Sequence, residues 1–136
     1  MLEYYNTAEQ ALTANTAIEF PNKVARTNCV VAVTNGTTFT ISKPGYYRIK
    51  YDGIVEASAA GEIEVQLYVN GTAVPYVYTA MTAAAASDVV PLSLETILRV
   101  PCSCAAVDNT KNITIVNTGL AATSTNAKII IERVCA

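Results

Sequence analysis

Four cysteines, eleven acidic side chains and no histidine are the inventory from which any chemistry in this 136-residue chain must be built. Without histidine there is no imidazole to activate a serine or cysteine nucleophile, and no imidazole metal ligand. Glu62 and Glu64 stand two apart and so share one face of an extended strand. Glycoside hydrolysis needs two carboxylates flanking a cleft. Alternation of these two with Ile63 and Val65 makes them a solvated strand face instead. The sequence contains no phosphate loop, no dinucleotide fingerprint and no dense Asp/Glu cluster of the kind calcium requires. The expectation is a protein that is not an enzyme and that uses neither cofactor nor metal.

The thiols are Cys29, Cys102, Cys104 and Cys135. Four cysteines allow three pairings, and spacing does not choose among them. Cys102 and Cys104 form a C-x-C after Pro101, a spacing poorly suited to a mutual disulfide and weak as a zinc signature. The first expectation is reduced thiols acting as small buried hydrophobes. Asn35-Gly36-Thr37, Asn70-Gly71-Thr72 and Asn112-Ile113-Thr114 match the N-glycosylation pattern, but the first two are explained by hairpin chemistry.

The elements that would position these groups are strands. Charged residues are 15% and hydrophobic residues 51% of the chain, a globular composition. A chain of this length makes one domain that buries roughly two thirds of its unfolded surface. Net charge is −2 with no run of Lys or Arg, which argues against nucleic acid or an anionic membrane as partner. No apolar run approaches a bilayer span and no basic head precedes an apolar core, so a soluble chain without secretory signal is expected.

The central stretch is Thr38 to Glu56. Phe39 and Ile41 alternate with hydroxylated residues, Lys43-Pro44-Gly45 breaks the run, and Tyr47, Ile49, Tyr51, Gly53 and Val55 then share one face. Tyr46, Arg48, Lys50, Asp52 and Glu56 take the other, with Ile54 an apolar exception among them. Asn35-Gly36 and Asn70-Gly71 are strong hairpin signals. Pro75 marks AVPYVYT as an edge strand, because proline cannot donate to a ladder. Residues 57–61, 80–87 and 120–126 read as loops. Leu2, Tyr5, Glu9 and Leu12 fall at near-helical spacing, which allows a short helix, and residues 1–17 read either as a terminal arm packed on the domain or as an anchoring segment docked on a larger particle, followed by one domain over 18–136. Roughly eight to ten strands at these turn spacings suit a sandwich or barrel.

The segments FTISKPGYYRIKYDG, IEVQLYVNGTAVP and AKIIIERV resemble the globular jelly-roll domains of the complement-head and tumour-necrosis-factor superfamily, including the C-terminal domain of collagen-like exosporium glycoproteins. The motif of that group is a Phe-Thr pair, then Pro-Gly-x-Tyr opening the long strand, here Phe39, Thr40, Pro44, Gly45 and Tyr47. A strand ending in Val-Asn-Gly is matched by Val69, Asn70 and Gly71. The resemblance spans about residues 18 to 135 and implies an antiparallel jelly-roll β-sandwich that assembles as a homotrimer. It also implies that the first and last strands are neighbours, which makes a Cys29–Cys135 disulfide a possible pairing. Tyrosine, frequent at interfaces, occurs eight times against two Phe and no Trp. Ile54, Tyr68 and Ile130, outward by alternation, are the candidate subunit contacts.

No Gly-x-y stalk precedes the domain in this sequence. That absence turns the expectation from a spore surface towards a virion surface, with the chain made in the host cytoplasm. The function expected is that of a trimeric structural protein, a capsid decoration or a head-fibre or tail knob, held to major capsid or other virion proteins through the N-terminal arm. The alternatives are a host-receptor or glycan-binding module at a fibre or baseplate tip, and an exosporium domain. Loops 57–61, 80–87 and 120–126 would form the binding rim, with Tyr76 and Tyr78 the nearest aromatics.

Overall fold

The computed structural model describes residues 1–26, 31–101 and 110–135. Its strands are β1 (Leu2–Asn6), β2 (Gln10–Leu12), β3 (Thr16–Ala17), β4 (Asn22–Arg26), β5 (Val31–Thr34), β6 (Thr38–Ile41), β7 (Gly45–Ala57), β8 (Gly61–Val69), β9 (Thr72–Ala83), β10 (Val89–Val100), β11 (Lys111–Asn117) and β12 (Ala122–Cys135). A front sheet runs β10-β7-β12-β1-β4, with β2 also pairing β12. A back sheet runs β5-β6-β11-β8-β9, with β3 also pairing β11. Every ladder is antiparallel, and no helix occurs among the described residues. The expected all-β jelly-roll sandwich is the fold observed.

Alternation builds the core. In β7 the residues Tyr47, Ile49, Tyr51, Gly53 and Val55 are buried, while Tyr46, Arg48 and Ile54 are exposed. From the back sheet Phe39, Ile63, Leu67, Ile113 and Ile115 meet them. Each such aliphatic or aromatic side chain contributes about 2 kcal/mol by leaving water. An aromatic chain crosses the centre: Tyr4 edge-on to Phe39 at 5.7 Å, Phe39 to Phe20 at 5.9 Å, and Phe20 edge-on to Tyr51 at 6.1 Å. The two Asn-Gly turns have the conformation their residue types demand. Asn35 and Gly36 lie at φ 54° and 69°, and Asn70 and Gly71 at 53° and 79°, the left-handed pair of a type I′ hairpin.

The structure corrects the reading of residues 1–17. No helix forms there; β1 and β2 pair along one edge of β12, and β3 then pairs with β11 of the other sheet. Leu2, Tyr4 and Leu12 are core residues, so this segment is woven into both sheets. Asn117 fastens the crossing. Its buried side-chain amide donates to the carbonyls of Leu12 (3.1 Å), Thr13 (3.3 Å) and Leu120 (3.1 Å), and its own carbonyl accepts from Asn15 N at 2.7 Å. Two expected loops also shrink. β9 continues to Ala83 because its ladder with β8 continues to Gly61, leaving 84–88 as the loop, and β12 already begins at Ala122.

Replacing Asn117 by Ala orphans buried carbonyls and is expected to lower unfolding free energy by about 2–3 kcal/mol in urea denaturation; a loss below about 0.5 kcal/mol would refute its role as a fastener.

Tyr51 supplies a second test. Its hydroxyl is buried without a hydrogen-bond partner among the described residues. Burial, and then the neighbouring Asp52 charge, push its pKa well above the ordinary tyrosine value. Because the fold keeps this hydroxyl neutral, the unfolded state ionises first, and stability that is unaffected below the unfolded-state pKa, near pH 10, is lost as pH rises beyond it. Tyr51→Phe is therefore expected to stabilise by about 1 kcal/mol at pH 7 and to flatten the loss of melting temperature above about pH 10.

Candidate functional site

The fold-signature residues serve the fold. Phe39 is fully buried. Tyr47 closes the Lys43-Pro44-Gly45 turn by donating its hydroxyl to Lys43 O at 2.9 Å, and Arg133 Nη2 donates to Pro44 O at 2.6 Å. Gly45 has φ 145°, and a Cβ there would lie 2.7 Å from Arg133 Nε and 2.8 Å from Cys135 O. Only glycine lets β12 lie against the start of β7. Burial raises the pKa of Tyr47, and the Arg133 charge opposes that rise.

Glu62 and Glu64 both support the turn between β11 and β12. Leu120 N donates to Glu62 O at 3.1 Å, Thr118 N and Gly119 N donate to Glu64 O, and Thr118 Oγ1 donates to Glu64 Oε1 at 2.5 Å. They do not flank a cleft. Cys135 ends β12 opposite Tyr46. Cys29, Cys102 and Cys104 lie outside the described residues, and with them the Cys29–Cys135 pairing.

Three exposed surfaces remain as candidates. The first is the outer face of the front sheet, assembled from the outward halves of β10, β7, β12 and β1. Arg48 donates to Glu132 at 3.0 Å and pairs with Glu95 at 3.5 Å, while Lys50 lies 3.8 Å from Asp52. Such solvated pairs contribute little to stability and instead pattern the face. Beyond them a depression of about 610 Å³ is lined by Tyr5, Asp52, Ile54, Pro91, Asn126 and Lys128, among others. A bulge in β12 between Ser124 and Asn126 shapes one wall. Beneath its floor, in the core, the Tyr51 ring lies over Gly53, where a Cβ would meet the hydroxyl at 2.1 Å.

The second surface is the margin where β9 and β10, edge strands of the two sheets, come together. Tyr76 is 77% exposed and Val89 62%, with Tyr78 and Ile97 close to half exposed. Tyr76 and Tyr78 project from the back-sheet side of that margin, and Val89 and Ile97 from the front-sheet side.

The third surface is on the back sheet, around the Asn70-Gly71 turn. Asn70 Oδ1 accepts from Asn112 N at 2.8 Å, Asn70 Nδ2 donates to Thr110 O at 3.3 Å, and Thr40 Oγ1 donates to Asn112 Oδ1 at 2.7 Å. Thr38 and Thr114 join them around a cleft of about 540 Å³.

Of the three candidate contact residues, Ile54 and Ile130 share the outer face of the front sheet, whereas Tyr68 is on β8 of the back sheet. The sequence reading did not single out Asn117 or Arg133. The Asn-Thr-Gly at 117–119, a turn signal at a strand end, was the available clue to the first.

No protein-family model and no curated protein sequence matches this chain. Solved structures do. The globular domain of zebrafish complement 1qA superposes with a TM-score of 0.65 at 12% identity, over 95% of this chain and 94% of that one. The Eiger tumour necrosis factor of S. frugiperda gives 0.65 at 9% identity, covering 94% and 90%. The PRD1 vertex protein P5 gives 0.53 at 13% identity, covering 94% and 93%. At such identities the likeness is one of fold: this chain is an antiparallel jelly roll of the form taken by the complement 1q head and tumour necrosis factor domains.

Proposed function

We propose that this protein is a non-enzymatic structural component of a virion surface that works as a homotrimer. The observation carrying the proposal is the pairing of two unlike surfaces on one protomer. The β9 edge carries the exposed Tyr76 and Tyr78, and the outer face of the front sheet holds a depression with Tyr5, Ile54 and Pro91 in its wall. A contact between two different patches is heterologous, and it must close into a ring to stop growing. Ile54, Ile130, Val89 and Ile97 then belong to the receiving face, and Tyr76 and Tyr78 of β9 to the inserted edge. A likeness to complement 1q and tumour necrosis factor domains over nearly the whole chain supports self-association, and the PRD1 vertex protein supports a place on a particle. Because residues 1–17 are built into the sheets, attachment to major capsid or other virion proteins uses a folded surface rather than a free arm.

Light scattering behind a sizing column is expected to give three times the 14.4 kDa protomer mass. A monomer at that mass scale, at concentrations of about 100 μM, would overturn the trimer. The double variant Val89→Lys, Ile97→Lys places charge on the outer face of the front sheet without touching the core and is expected to weaken association by about a hundredfold or more, with an unchanged circular dichroism spectrum. Wild-type mass in that variant would move the interface elsewhere.

A further inference from the structure

We propose that the cleft on the outer face of the back sheet binds a neutral saccharide. The cleft is lined by Thr38, Asn70, Gly71, Thr110, Asn112 and Thr114. This inference goes beyond the structural role and does not rest on it, since the described lining residues come from one protomer and none of them belongs to the proposed subunit contact.

The chemistry of the lining selects the ligand. None of these six described residues is charged, so a phosphate, a nucleic acid or an acidic peptide would find no countercharge among them. None presents a large apolar side chain, so a hydrophobic partner would gain little. What the cleft offers is hydroxyls and carboxamides, the groups that match the alternating donors and acceptors of a sugar ring. Its volume, about 540 Å³, is in the range of small-molecule sites.

The groups are also held ready. Asn70 is locked at both ends of its amide, by Asn112 N and Thr110 O, and Asn112 Oδ1 is fixed by the Thr40 hydroxyl. That fixes the Asn112 plane and leaves its Nδ2 without an acceptor among the described residues, as are the hydroxyls of Thr38 and Thr114. Groups fixed before binding spare the ordering cost that weakens sites on mobile side chains. Tyr68 stands directly across from Thr114 in the β11–β8 ladder and is half-buried, so it shares the outer face of the sheet with the cleft without lining it.

A peptide strand is a poorer fit. β6 and β11 are internal strands, paired on both sides within the back sheet, so the floor of the cleft offers no unpaired backbone for strand addition. Recognition there has to run through side chains.

The test is a titration of the full-length, nitrogen-15-labelled chain with methyl β-glucoside, methyl β-galactoside, N-acetylglucosamine, lactose and the charged sialyllactose, followed by amide chemical shifts. The expected result is saturable shifts at Asn70, Gly71, Asn112 and Thr114 with at least one neutral sugar, at a Kd of about 1–50 mM. Thr38→Val with Thr114→Val removes both free hydroxyls at constant shape and is expected to weaken binding about tenfold. If that double variant fails to fold, Thr114→Lys, which fills the cleft from an outward position, is expected to do the same. No site-specific shift with any neutral sugar at about 100 mM would overturn the proposal, as would shifts confined to other surfaces, preference for sialyllactose, or undiminished binding by the folded variants.

Discussion

The rest of the structure depends on the ladder between β7 and β12, which runs from Ala57 opposite Ala122 to Tyr46 opposite Cys135. These strands occupy the middle of the front sheet, with β10 on one side and β1 and β2 on the other. Side chains alternate along a strand, so a one-residue slip of this ladder would turn Ile129 and Ile131 out of the core and bring Lys128 and Glu132 in. The register is held at both ends. At one end Gly45 makes room for Arg133, which in turn binds the Pro44 carbonyl. Towards the other, Gly53 makes room for the Tyr51 ring, next to the bulge at Ser124 and Asn126. Two glycines at close approaches thus fix the strand on which the sandwich is assembled.

Much of this was legible in the sequence because it is local. The period-two pattern of β7 and β8, the two Asn-Gly turns and the Pro-Gly break are properties of neighbouring residues, and each is found where the pattern puts it. What was not legible is what distant pairing decides. Leu2, Tyr5, Glu9 and Leu12 have helical spacing, but the set actually turned inward is Leu2, Tyr4, Asn6 and Leu12. The buried Asn6 hides the alternation, and the partner that makes it a strand is at the far end of the chain. Likewise the alanines after Tyr78 favour helix or loop by propensity, yet pairing of Thr82 with Glu62 keeps the segment extended. Outwardness could be read for Ile54, Tyr68 and Ile130, but not which sheet each belongs to, and so not that Tyr68 faces away from the other two. The back-sheet cleft was hidden for a similar reason: Asn70-Gly71 is fully accounted for as a turn until Asn112, Thr38 and Thr114 are seen beside it.

The two outer faces differ in the physics they present. The front carries ion pairs around an apolar concavity, a mixture that gives orientation through charge and adhesion through burial, and suits a protein partner. Around its cleft the back presents neutral hydroxyls and amides on strands paired on both sides, which suits a small polar ligand. A jelly roll separates such roles naturally, because each sheet turns only one face to the core and leaves the other to be written independently.

The place of β12 has a consequence for how the molecule comes into being. It is the last of the described strands, yet it lies between β7 and β1 in the interior of the front sheet. Back-sheet hairpins such as β5–β6 and β8–β9 can close as they emerge from a ribosome, whereas Leu2 must wait for Ile131. Until then β1 and β7 each expose an edge and an apolar face, in a topology already slow because its contacts are long-range. The nascent chain is therefore at its most adhesive just before synthesis reaches the end of β12, and crowding of several copies on one message would bring such edges together at the moment they are least protected.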